Sequence, residues 1–353
     1  MNTVTEAPGT RASSKKRDIY WDAARGIAII AVIWIHAATG DRYEGTDYSW
    51  NFSYWIVQRQ FLNFAVALFF FVGGYFAYSS KARFGPWMTK RARRLLVPFI
   101  FWSVFYGAVL LILNPDSVTN LVRFAAKIVL GMTAAHLYFI VVLVQLTLLT
   151  PWLVRAVNMR FGWGLFLITP AYIAGLYFVT WRLGDLPDGY QYMFFGWFAF
   201  YYAGLMVRAR GLPRVRASVA AAGVIVALGL SLLEAFVLTS KGWPLAMAIT
   251  QLNATSVLFS FAVIIQVIAL KRPVKSGFGR ALGSLGLISY GVYYVHMVWM
   301  MAMNRMATRL PLDVPLPLIQ VVEIMVALAL SLAVIALGRV VLGRRRATNL
   351  LGF

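Results

Sequence analysis

Cysteine is absent from the 353 residues. That excludes a disulfide framework, a thiol nucleophile and any cysteine-ligated metal. Charge is also scarce: Asp, Glu, Lys and Arg make up 13% of the chain, against about a quarter in an ordinary soluble domain. Acid is scarcer still, with 12 Asp and Glu against 33 Lys and Arg, and there are three histidines. The sequence holds no phosphate-binding glycine loop, serine-hydrolase elbow or zinc-protease motif. The histidines fall in three different apolar segments without ligand spacing, so no metal site is expected. What fills the chain instead is apolar side chain, 61% of all residues. A water-soluble fold cannot hide that much apolar surface, but a bilayer can. The apolar runs are long and continuous rather than alternating, which favours spanning helices over a barrel.

The net charge of +21 does not point to nucleic acid. The basic residues cluster in short stretches between apolar runs, the pattern that orients membrane proteins, and no basic-and-aromatic binding module accompanies them. The pattern predicts an all-α polytopic bundle of about ten transmembrane helices, at 19–38, 60–78, 95–113, 136–154, 161–180, 192–207, 217–238, 246–270, 284–303 and 316–338. With both termini cytoplasmic, inner segments hold 24 basic residues and outer segments eight, as the orientation rule requires. Three regions follow: a cytoplasmic tail at 1–18, a membrane domain at 19–338 and a second cytoplasmic tail at 339–353. Lys15, Lys16 and Arg17 before an apolar stretch loosely mimic a cleavable signal, but Asp22 and Arg25 open that stretch, so it is expected to stay as the first span. The stretch 121–135, with Arg123 and Lys127, reads as an interfacial or re-entrant helix. The aromatics of loop 39–59 (Tyr43, Tyr48, Trp50, Phe52, Tyr54, Trp55) read as an interfacial belt. No internal repeat is evident, which weighs against a transporter built on inverted repeats.

An ionisable group at mid-span costs about 2.5–3.5 kcal/mol on insertion scales, so it usually faces the bundle interior. Asp22, Arg25, His36, Glu234, His296 and Glu323 are such groups, with His136 at a span's outer edge. Arg25 and His36 are eleven residues apart, hence within about 20° on one helix face and ~16 Å apart along the axis. Asp22 lies one turn from Arg25 and can pair with it. The plainer reading of this helix is a locking ion pair and a satisfied core histidine. Lys90 and Arg93 read best as an anionic-lipid or stop-transfer patch. Arg91 and Arg94, one turn apart, can point together at a phosphate. Ser289, Tyr293 and His296 fall within about 60° on a helix; such a stripe implies an interior face, with interhelical hydrogen bonding as the plain alternative. Gly73 and Gly74 read as close helix packing, without chemistry.

Taken in order, these elements resemble the acyltransferase-3 family of bacterial membrane O-acyltransferases. The matching pieces are Arg25 with ten residues before His36, the Arg91–Arg94 pair, and Ser289-Tyr290-Gly291-Val292-Tyr293-Tyr294-Val295-His296. Phe70-Phe71-Val72-Gly73-Gly74-Tyr75 is similar to the family's Phe-Phe…Ser-Gly-Tyr element, with Gly73 where Ser is usual. His136-Leu137-Tyr138-Phe139 is similar to its His-Leu-Trp-Phe, with Tyr138 for Trp. Both departures are read as matters of packing. The resemblance implies that Arg25 and His36 are essential, and that Arg91 and Arg94 serve acyl-CoA. It also implies a stand-alone member, without the hydrolase-like domain that some relatives append.

On this basis the expected activity is transfer of an acyl group, acetyl first among them, from cytoplasmic acyl-CoA to a hydroxyl. The expected acceptor is a cell-surface glycan or its lipid-linked precursor, and the expected location a bacterial inner membrane. Arg25, Arg91 and Arg94 would meet the donor's phosphates. His36 would act as general base, with His296 or Glu323 orienting it or receiving the proton, and Asp22 paired to Arg25. Acyl-CoA is then a substrate, and no permanently bound cofactor is expected. A polysaccharide exporter or flippase, or an acyltransferase for a small metabolite, are the other readings. The oligomeric state is not indicated.

Because the chain lacks cysteine, single introduced cysteines report orientation without background. A membrane-impermeant maleimide applied to intact cells is expected to label Ser240→Cys and to label Ser276→Cys only after permeabilisation. The reverse pattern would overturn the expected orientation.

Overall fold

The computed structural model describes residues 18–37, 50–78, 84–113, 120–307 and 315–353. The basic run at Lys15, Lys16 and Arg17 and the loop residues Tyr43 and Tyr48 lie outside them. Among the described residues every regular element is a helix. In chain order these are α1 Ile19–His36, α2 Trp50–Leu62, α3 Phe64–Ala77, α4 Phe84–Leu113, α5 Leu121–Val129, α6 Tyr138–Val157, α7 Ile168–Leu183, α8 Phe194–Arg210, α9 Ala217–Ser240, α10 Leu245–Ile249, α11 Ala254–Ala269, α12 Gly277–Ala307, α13 Leu316–Leu342 and α14 Arg344–Leu351. Nine helical segments among the described residues are long and apolar enough to cross a membrane; α2 with α3, and α10 with α11, each count as one. The segment expected as a span at 192–207 is α8, only 17 residues long. Its residues Gly196–Tyr202 are all buried, so protein surrounds it rather than lipid.

The burial pattern is that of a chain dissolved in lipid. Ile225, Val226 and Leu233 of α9 and Val321, Val322 and Met325 of α13 are exposed, while Ser231, Ser256, Ser289, His296 and Gln320 are buried. A polar group in hydrocarbon needs an internal partner. Asn63, at the junction of α2 and α3, donates to Ser256 Oγ (2.7 Å), Gln60 Nε2 donates to the Ala248 carbonyl (2.8 Å), and Ser231 donates to Gln60 Oε1 (2.6 Å). Glu234 accepts from the Tyr177 hydroxyl and from the backbone and hydroxyl of Thr255, tying α7, α9 and α11 together.

Glycines let two helix pairs touch backbone to backbone. A Cβ on Gly286 of α12 would overlap the Asp22 carbonyl of α1, and one on Gly26 would overlap the Leu282 carbonyl. In the same way Gly74 of α3 sits against the Tyr201 carbonyl of α8, and Gly204 of α8 against that of Phe71. Gly73 does not share this role: a Cβ there would make ordinary contacts, the nearest to Leu143 Cδ1 at 3.6 Å.

Three sequence expectations change. The stretch 50–59 belongs to α2 rather than to a loop. Phe52 and Trp55 are buried against Ala235 and Leu316, and the Tyr54 hydroxyl donates to Gln320 Oε1 (3.2 Å), so these three are packing residues rather than a belt. The segment 246–270 is two helices, interrupted at 250–253, where Asn253 caps α11 by accepting from Ser256 N (2.7 Å). The segment 339–353 is not an extended tail. After α13 the chain turns at Gly343 (φ 74°) into α14. Trp102 Nε1 donates to the Leu351 carbonyl (3.0 Å), and the buried Phe353 ring lies beside Trp102 and against Gly291 and Gly338.

Gly74→Ala is therefore expected to cost about 1–3 kcal/mol through overpacking, whereas Gly73→Ala should stay within about 0.5 kcal/mol. Thermal unfolding of both variants in detergent checks this; equal losses would contradict the assigned packing.

Candidate functional site

The register of α1 against α12 builds the site. Close approach at Gly26 and Gly286 sets Arg25 against Ser289, to whose Oγ its Nη2 donates (3.2 Å). Further along, it brings the His36 ring 5.5 Å from that of His296. The third histidine arrives from a different element. A short turn at Ala135–Leu137 precedes α6 and places His136 against Tyr106, Tyr293 and His296, with ring centroids 5.2, 5.0 and 5.3 Å away. The Tyr293 hydroxyl donates to the His136 carbonyl. The stripe Ser289–Tyr293–His296 is thus an interior face, meeting Arg25, His136 and His36 in turn. Among the described residues no group of three or more His, Asp or Glu could hold a metal ion.

Arg25 and His36 line one cavity of about 1020 Å³. Toward the Arg25 end its wall carries Arg91, Arg94, Arg339 and Arg344. Toward the His36 end it carries Arg59, His136, Tyr138, Tyr190, Gln191, Thr250 and Gln251. Among the described residues no Asp or Glu lines it. Arg25 is steadied by Asp22 (Nη1–Oδ1 3.6 Å) as well as by Ser289. Arg91 stacks over Trp87 at 5.2 Å and donates to the Gly73 carbonyl (3.4 Å). Both ring nitrogens of the buried His136 lack a hydrogen-bond partner among the described residues, as does the buried Nε of Arg339. An unsatisfied buried polar group costs about 1–3 kcal/mol, and both residues also line the cavity.

The expected site residues therefore separate by position. Arg25, His36, Arg91 and Arg94 share the cavity wall. His296 is fully buried behind it, touching both His36 and His136, with Nδ1 at 3.1 Å from the Val292 carbonyl. Asp22 is buried and does not line the cavity; it acts on Arg25. Glu323 does not line it either. It is buried on α13, one turn beyond Gln320, which accepts from Trp34 Nε1 (2.9 Å) at the His36 end.

Sequence reasoning named His136 without giving it a place in the site, and missed four contributors: Arg59, Arg339, Arg344 and the break at Thr250–Gln251. The break had a legible signal, since Thr250-Gln251-Leu252-Asn253 interrupts an apolar run and ends in a helix-capping residue. Non-helical backbone at membrane depth is tolerated where it is buried in protein or lines a cavity, and this one does line it. The reading of Gly73 as a packing position is also corrected: it lines the cavity, and its carbonyl holds Arg91; Tyr138 packs on Trp197 and Tyr192 as expected and lines the cavity as well.

Membrane-length helices around a cavity, arginine-rich at one end and histidine-lined at the other, define a multi-pass membrane protein with an internal polar site. The chain belongs to the acyltransferase-3 family: residues 18–338 match that family's acyltransferase domain. Over 93 residues it is 33% identical to the nodulation protein NolL of Mesorhizobium japonicum (strain LMG 29417 / CECT 9101 / MAFF 303099). That stretch covers 26% of this chain and 24% of the relative's length. No solved structure matches the chain.

Tyr293→Phe removes the hydrogen bond to the buried His136 carbonyl. It is expected to lower stability by about 1–3 kcal/mol without emptying the membrane of protein. Thermal unfolding in detergent measures it, and an unchanged melting temperature would mean that the bond does not hold His136.

Proposed function

We propose that the protein moves an acyl group, acetyl in the first instance, from cytoplasmic acyl-CoA to a hydroxyl of a cell-surface glycan or its lipid-linked precursor. The observation that carries this reading is that Arg25, Arg91 and Arg94 line the same cavity as His36. The charged nucleotide end of acyl-CoA cannot enter hydrocarbon. It rests on the guanidinium groups, while the uncharged arm threads along α1 toward His36. The ~16 Å rise between Arg25 and His36 is comparable to the reach of that arm. The acceptor hydroxyl attacks the thioester carbonyl; the oxygen–carbon bond forms and the carbon–sulfur bond breaks. His36 takes the hydroxyl proton and returns it to the departing thiolate. Of the two residues expected to support His36, His296 has the ring contact, so it orients the imidazole. Glu323, buried on α13 one turn from Gln320, is held as a secondary proton acceptor, and Asp22 positions Arg25. With α8 counted as a tenth crossing, both termini lie in the cytoplasm of a bacterial inner membrane, and the arginine end of the cavity opens to the donor's side. The basic-residue asymmetry supports this orientation.

The decisive experiment supplies radiolabelled acetyl-CoA to purified protein in detergent and follows binding and slow hydrolysis. Wild type is expected to do both. His36→Ala should bind with turnover reduced at least ~100-fold, the lower range for loss of a general base. Arg91→Ala should weaken binding about tenfold or more, in line with a lost charge-assisted hydrogen bond. Asp22→Asn should impair turnover less than Arg25→Gln, because it acts on the donor through Arg25. Failure of well-folded protein to bind acetyl-, succinyl- or longer acyl-CoA would sink the donor assignment and make a polysaccharide exporter the leading account.

A further inference from the structure

The last basic cluster of the chain contains Arg339, Arg344, Arg345 and Arg346. As topogenic charge the four would be equivalent, but the structure does not treat them so. Arg339 and Arg344 line the cavity beside Arg25, Arg91 and Arg94, whereas Arg345 and Arg346 do not. Their placement is fixed by packing. Glycine at 291 and 338 leaves room for the Phe353 ring, Gly352 lies against Tyr290 and Tyr294, and Trp102 binds the Leu351 carbonyl. The turn at Gly343, with φ of 74°, starts α14, whose end is held against Trp102 of α4. Thr348, one turn after Arg344, also lines the cavity.

Five guanidinium groups at one end of a cavity repel one another, and among the described residues no Asp or Glu side chain on its wall offsets them. Asp22 pairs with Arg25 alone among the cavity arginines. The Nε of Arg339 is buried without a partner among the described residues. An arrangement of this kind is stabilised by a polyanion with several separate oxygens, and arginine on phosphate supplies the geometry.

We propose that Arg339 and Arg344 bind phosphate groups of the donor nucleotide, facing Arg91 and Arg94 across the mouth, so that α14 is a wall of the donor site. The proposal rests on the acyl-CoA reading given above. It adds that the last turn of α13 and the segment after it belong to the binding machinery rather than to a topogenic tail.

The test is equilibrium binding of radiolabelled acetyl-CoA to the purified full chain in detergent, with Arg339→Gln and Arg344→Gln set against Arg345→Gln and Arg346→Gln as charge-matched controls. The first two are expected to raise Kd about tenfold and the controls less than twofold. The excess should shrink at high salt. Arg339→Lys should recover part of the loss. Competition by acetyl-pantetheine, which lacks the nucleotide phosphates, should be the same for every variant. Parallel samples with and without phosphatidylglycerol separate the donor's phosphates from a lipid headgroup. The proposal is overturned if Arg339→Gln and Arg344→Gln bind like wild type while Arg91→Ala loses affinity. It is equally overturned if all four variants weaken alike, or if the two lose retained phosphatidylglycerol instead of acetyl-CoA. Wild type that binds no acetyl-CoA would remove the donor reading itself and this inference with it.

Discussion

The backbones of α1 and α12 meet because Gly26 and Gly286 have no side chain to keep them apart. Helices in lipid gain little from burying apolar surface against one another, so close van der Waals packing of small residues drives their association. Here that contact sets more than stability. It fixes the register at which Arg25 meets Ser289 and His36 meets His296. The ion pair with Asp22 then holds the Arg25 guanidinium at the cavity wall. A side chain at either glycine would push the helices apart and separate the two pairs together. The second glycine contact, between α3 and α8, does the same for the opposite wall, which carries Gly73 and, through it, Arg91.

A second constraint is that no polar group can be left to lipid. The described bundle answers it in two ways. Where polar side chains serve packing, they close on one another, as do Gln60, Asn63, Ser231 and Ser256, or Glu234 with Tyr177 and Thr255. Where they serve a site, they line the cavity. His136 and Arg339 belong to this group. The broken helix at 250–253 joins the two behaviours: Asn253 satisfies the start of α11, while Thr250 and Gln251 present polar atoms to the cavity.

Composition and periodicity by themselves determined that this chain is a helical membrane protein, because 61% apolar residues in long runs admit no other economical burial. Spacing on single helices was also enough to align Arg25 with His36, and Ser289 with Tyr293 and His296, since 3.6 residues per turn fixes which side chains share a face. What the tertiary structure decided were the relations between helices. Pattern alone did not reveal that Gly74 packs while Gly73 faces the cavity, that His136 joins the other two histidines, or that Glu323 stays off the wall. Nor did it reveal that, of Arg339, Arg344, Arg345 and Arg346, the first two line the cavity while the other two do not. Each of these depends on crossing positions and close approaches between segments far apart in sequence, and no local periodicity encodes them.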